Sequence, residues 1–136
     1  MVQMNVEYQG DLHCKLEHGP SSAVIYTDAP VDNHGRGEEF SPTDLATVSL
    51  GACAATIMGI AAKRHNIPLE GMKVHVTKEM VTEPVRRIGR IGLTFHIPYN
   101  APNEHRKLLE NAARTCPVHQ SLHPDVEKSM TFIYAD

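Results

Sequence analysis

Tryptophan is absent from this 136-residue chain, and aromatic residues make up only 5% of it. That composition leaves no platform on which nucleic-acid bases would stack. Basic clusters are equally scarce. Arg86, Arg87 and Arg90 form the one local group, too small for a nucleic-acid footprint, and the net charge is −3. Cysteine is sparse, with Cys14, Cys53 and Cys116 the only three. Three scattered thiols cannot staple a secreted scaffold, and an odd number suits a reducing compartment. The opening Met1-Val2-Gln3-Met4-Asn5 has neither the basic segment nor the apolar run of a signal peptide, so the cytoplasm is the expected location. No internal repeat or low-complexity segment appears. The length suits one domain over 1–136 with a core of its own.

Charge is missing altogether from Leu45 to Ala62. A helix start precedes this run: Ser41 as N-cap, Pro42 at the first helical position, and Asp44 where a capping-box acid belongs. Lys63 and Arg64 suit a C-terminal end near His65, Asn66 can cap it, and Pro68 stops it. A helix without charge on any face is buried all round or lies in a membrane. Gly, Ser and Thr dilute its apolarity and the flanks read as soluble sheet, so no membrane is expected. Covering such a helix on every side is difficult in so short a chain, which predicts a homodimer. Gly51, Ala52, Ala54, Ala55 and Gly59 would permit close approach.

Around the helix the hydrophobic period is two. Met4-Val6-Tyr8, Leu12-Cys14-Leu16 and Val24-Tyr26 alternate between turn residues and predict a three-stranded antiparallel meander. Asp28–Glu39 is polar and holds Pro30, Gly35 and Gly37, the composition of a loop. Met72 to Met80 and Ile91 to Ile97 predict a hairpin connected through Glu83-Pro84. Asn103–Thr115 predicts a second helix with Leu108, Leu109, Ala112 and Ala113 inward. A short helical turn follows from Cys116-Pro117 through Leu122, and Met130-Phe132-Tyr134 form a last strand. The predicted class is α+β, in the order βββ-α-ββ-α-α-β, with antiparallel sheets around a long buried central helix.

Two of the thiols have unlike settings. Cys53 lies well inside the charge-free helix. Cys116 stands before Pro117 as the N-cap of a short helix, where N–H groups and the dipole favour thiolate. On these grounds Cys116 is expected to be the more acidic. Brought together by folding, the pair would form a redox centre: a peroxide oxidises one sulfur to sulfenic acid and the other condenses with it to a disulfide. Thiolate formation alone explains little of the rate. Lowering a thiol pKa from ~8.5 to ~6 raises the ionised fraction at pH 7 roughly thirty-fold. Reduced nucleophilicity takes back roughly ten-fold of that. Orienting the O–O bond and protonating the departing alkoxide must supply the remainder.

The segments Phe40-Ser41-Pro42-Thr43-Asp44-Leu45, Ser49-Leu50-Gly51-Ala52-Cys53 and Cys116-Pro117-Val118-His119-Gln120-Ser121-Leu122 resemble those of the OsmC/Ohr family. The resemblance extends over nearly the whole chain, strand order included. It implies an intertwined homodimer with sites at the subunit interface. It also implies a thiol peroxidase for organic hydroperoxides, with Cys53 peroxidatic, Cys116 resolving, an external dithiol as reductant and no cofactor. The peroxidase branches carry a Glu ten residues before the first cysteine and an Arg in the first strands. Here Thr43 stands at the Glu position and no Arg precedes Arg36. This marks a divergent OsmC-like branch, in which Arg36 and Glu39 are the candidate supporting residues, or simply solvated loop charges.

Two other readings stay open. One is a non-catalytic family member that binds an apolar ligand or senses oxidants. The other is a metal-binding module, since Cys116, His119 and His123 fall at i, i+3 and i+7. Cys14 reads as a core thiol beside Leu12 and Leu16, and Met58, Met72, Met80 and Met130 as packing residues.

Overall fold

The computed structural model describes residues 1–136. The chain forms two compact units, Met1–Ala46 and Thr47–Asp136. In the first, strands β1 (Met4–Tyr8), β2 (His13–His18) and β3 (Val24–Asp28) pair antiparallel in that order, as the alternation predicts. Their register places Met4, Val6 and Tyr8 beside His18, Leu16 and Cys14, and Cys14 and Leu16 beside Thr27 and Ile25. One face of this sheet is therefore mainly apolar. Cys14 is half-buried on that face within one chain, and Leu12 lies outside the strand at φ 59°. A single turn of 3-10 helix at Val31–Asn33 interrupts the following loop.

Helix α1 (Pro42–Arg64) starts where the capping residues place it. Ser41 Oγ accepts from the Asp44 N–H at 3.0 Å, and Asp44 Oδ2 accepts from the Ser41 N–H at 3.0 Å. This reciprocal pair satisfies two N–H groups at the helix start that have no partner within the helix. At the far end Asn66 adopts φ 54°, and the Ile67 N–H returns to the Ala62 carbonyl at 2.8 Å. The left-handed turn ends the helix before Pro68.

In the second unit, β4 (Lys73–Val81) and β5 (Arg87–Ile97) form the predicted hairpin. They are followed by α2 (Asn103–Arg114), α3 (Pro117–Ser121) and β6 (Glu127–Tyr134). The element order is the one predicted, but this sheet is not wholly antiparallel. β6 runs parallel to β5, with Phe95 opposite Phe132 and Leu93 opposite Met130. Helices α2 and α3 carry the chain back across the sheet, the crossover that parallel neighbours require.

Ile91, Leu93, Phe95 and Ile97 of β5 are all buried. Leu50, Ala54, Met58 and Ala62 of α1 join them in the same core, spaced by four so that they share one helix face. Fully burying a Leu or Met contributes about 1.5–3 kcal/mol. Gly51 marks the closest approach: a Cβ there would lie 2.9 Å from Val76 Cγ2 and 3.6 Å from Val74 Cγ1.

Helix α1 is the buried core helix expected, and within one chain its covering is uneven. Cys53, Ile57 and Ala61 flank the core half-buried, while Ala52, Thr56 and Ile60 face outward, with Ile60 46% exposed. The helix is long and apolar enough to cross a membrane by composition. In this fold its apolar stripe is core.

Candidate functional site

Cys53 lies one turn beyond Leu50 and two residues beyond Gly51, so the close packing of α1 on β4 and β5 sets where its sulfur lies. Cys116 arrives from the opposite direction in sequence. Helix α2 anchors that segment through buried Leu109, Ala112 and Ala113. Tyr134 Oη donates to Glu110 Oε2 at 2.7 Å, and the Arg106 guanidinium lies 4.3 Å from the Tyr134 ring centroid. These contacts tie α2 to β6. One residue separates the end of α2 from Cys116, which is extended (φ −66°, ψ 148°) and caps α3.

Folding brings these two cysteines to one core. Cys116 is fully buried within it, Cys53 packs half-buried against it, and both thiols are free. Cys53 is thus the less buried residue of the two.

The expected acidity of Cys116 is not found. Burial pushes its thiol above the ordinary value, opposed by the His119 N–H, which donates to Sγ at 3.4 Å. The Cys53 side chain raises it further. A five-residue helix offers little dipole, and desolvation of the sulfur outweighs it. Cys116 is therefore a protonated thiol at neutral pH. His119, half-buried, is held below the usual imidazole value by burial and by the charge of Lys128. It is a neutral neighbour of the pair.

The two supporting candidates meet at a residue that sequence reasoning passed over. Asp28, buried at the end of β3, accepts from the Glu39 main-chain N–H at 3.1 Å. The Arg36 guanidinium lies 3.5 Å from the same carboxylate. The Glu39 side chain points to solvent, so Arg36 pairs with Asp28. His13 completes the group, with Nδ1 2.6 Å from Asp28 Oδ1. That bond holds the Asp28 carboxyl below the usual carboxylate value; burial opposes it and Arg36 assists. Thr43, at the position where the peroxidase branches carry Glu, has its hydroxyl 3.2 Å from Ser41 Oγ.

The metal-module alternative finds no ligand set. No three His, Cys, Asp or Glu side chains gather as metal ligands. His123 is exposed, and its Nδ1 accepts from the Asp125 N–H at 3.0 Å.

Residues 35–130 match the family model for the OsmC-like protein. The chain belongs to the OsmC-like family. Among solved structures, it is 41% identical to an assigned osmotic stress induced and detoxification response protein of Psychrobacter arcticus, with a TM-score of 0.93 over 98% of this chain and 96% of that one. An OsmC organic hydroperoxide resistance protein of Legionella pneumophila shares 17% identity at a TM-score of 0.77, over 97% and 96% of the two chains. An OsmC-like protein of Mycoplasma pneumoniae shares 15% at 0.83, over 100% and 98%. The latter two show a common fold. Low identity to the hydroperoxide resistance protein fits a divergent OsmC-like branch. No curated protein matches the chain.

Proposed function

We propose that this OsmC-like protein, acting as one domain over 1–136, is a cytoplasmic two-cysteine thiol peroxidase for organic hydroperoxides with a role in oxidative-stress defence. The observation that supports the reading is that a half-buried free thiol packs against the core that holds a fully buried free thiol. The Cys53 thiolate attacks the terminal oxygen of the hydroperoxide. The O–O bond breaks, the alkoxide takes a proton and leaves as the alcohol, and Cys53 becomes sulfenic acid. The Cys116 thiol then attacks that sulfur, an S–S bond forms and water leaves. An external dithiol reduces the disulfide by exchange.

A buried, protonated Cys116 is poorly suited to first attack, which favours Cys53 for that step. Arg36 is proposed as the supporting cation and Glu39 as a lesser supporting carboxylate. Their chemistry and the lack of any earlier Arg support that choice. A stress-related role also accords with the names of the Psychrobacter and Legionella proteins.

A homodimer belongs to the same proposal. Met4, Val6 and Tyr8 are 66%, 68% and 64% exposed on one sheet face, and Ile60 lies open on α1. A three-stranded sheet with a bare apolar face requires a second layer, and a second copy supplies one.

The test is consumption of cumene or tert-butyl hydroperoxide with dithiothreitol as reductant. Wild type should turn over, and Cys53→Ser should abolish consumption. Full consumption by Cys53→Ser would end the enzyme reading. Oxidation of the wild-type pair without turnover would instead favour an oxidant sensor, the reading to which Thr43 and the lack of an early Arg also point.

A further inference from the structure

Asp28 closes β3, and its side chain is 1% exposed. A carboxylate so fully removed from water needs ionic and hydrogen-bonding partners in place of solvent. It has three. His13 Nδ1 from β2 is 2.6 Å from Oδ1, Arg36 Nη2 is 3.5 Å from the same oxygen, and the Glu39 main-chain N–H donates to Oδ2 at 3.1 Å. His13 is itself fixed by stacking on Tyr26, with 5.3 Å between ring centroids.

These partners bracket the Ala29–Phe40 loop. Asp28 stands immediately before it, Arg36 lies within it and Glu39 lies near its end. The loop is compact internally: the Gly35 and Gly37 N–H groups donate to the Pro30 and Ala29 carbonyls at 2.9 and 3.2 Å. A Cβ on Gly35 would lie 1.7 Å from the Ala29 oxygen, so this close turn requires glycine. Its ends are joined less firmly, by a 3.3 Å bond from the Asp28 N–H to the Phe40 carbonyl. Such a loop behaves as a small body attached at its neck, and the Asp28 carboxylate is the charged group at that neck.

We propose that Asp28 is a positioning residue: its carboxylate latches the Ala29–Phe40 loop shut and thereby holds Arg36 in one place. The catalytic consequence rests on the reading of Arg36 as supporting cation given above. The latch does not.

Trypsin cleavage after Arg36 reads the latch directly, because cutting requires the loop to open. Asp28→Asn keeps the shape of the side chain and removes its charge. It should speed cleavage at Arg36–Gly37 roughly ten-fold or more. Cleavage at Arg64–His65 and the far-UV circular dichroism should not change. In the same preparation, kcat/KM for tert-butyl hydroperoxide should fall while the alkylation rate of Cys53 stays at the wild-type value. His13→Gln, which retains the carboxylate and Arg36, should speed cleavage to a smaller extent, and it decides the matter if Asp28→Asn does not fold. Wild-type cleavage rates in the folded variants overturn the latch. Faster cleavage with unchanged kcat/KM overturns the positioning of Arg36 for catalysis. Faster cleavage in the variants, where the wild type itself consumes no hydroperoxide, supports the latch and rejects the peroxidase reading.

Discussion

Replacing Gly51 by Ala tests the contact that places Cys53. In an exposed helix the exchange is stabilising, by about 1 kcal/mol of helix propensity. At Gly51 the new methyl would sit 2.9 Å from Val76 Cγ2 and 3.7 Å from Leu93 Cδ2. Val76 cannot swing aside, because a β-branched side chain on a strand has restricted χ1. Overpacking of this kind costs about 1–3 kcal/mol, so Gly51→Ala should be destabilising by about 0–2 kcal/mol. Gly59 provides the matched control on the same helix, since a Cβ there meets nothing within 4 Å. Gly59→Ala should show the propensity gain alone. At roughly 3 °C per kcal/mol for a chain of this size, the two melting temperatures should differ by roughly 3–9 °C, with Gly59→Ala the higher. Differential scanning calorimetry of both variants measures it. Because relief at Gly51 lifts α1 next to Cys53, the same variant should also slow disulfide closure. Equal stabilisation by both substitutions would refute the close packing.

Other outcomes follow from named contacts. In Cys53→Ser, alkylation of Cys116 by iodoacetamide should stay slow at neutral pH and accelerate only above the ordinary thiol value, because burial raises this thiol. The linked stability has a definite sign: it is full below that value and lost as pH climbs through the higher value of the buried thiol, because the unfolded chain ionises first. Tyr134→Phe removes the bond to Glu110 and should cost about 1 kcal/mol in urea unfolding. An unchanged midpoint would discount that tie between α2 and β6. Val6→Glu, on the bare sheet face, should shift the sedimentation coefficient from dimer to monomer, and a wild-type monomer would overturn the homodimer.

Much of the fold was legible because its punctuation is local. Ser41 and Asp44 announce the start of α1, Asn66 and Pro68 its end, and the alternation from Ile91 to Ile97 its sheet. The direction of β6 was not legible, because alternation fixes which face a strand buries and leaves its neighbour open. The absence of charge on α1 says what the helix surface is made of, and not what covers it. Cys116 misled for a related reason: the cap position was read correctly, but full burial of the sulfur outweighs a five-residue helix. Asp28 was invisible because its importance depends on register. His13 and Asp28 are cross-strand partners, and in the chain each looks like any polar residue beside a turn. The proposed pairing of Cys53 with Cys116, by contrast, rests on the family motifs and on the core the two residues share.

The most direct measurement is peptide mapping by mass spectrometry after one equivalent of tert-butyl hydroperoxide, with free thiols alkylated before digestion. The expected product is a Cys53–Cys116 disulfide with Cys14 alkylated. Cys53 and Cys116 both recovered alkylated after the peroxide has been consumed, or a disulfide to Cys14 instead, would contradict it.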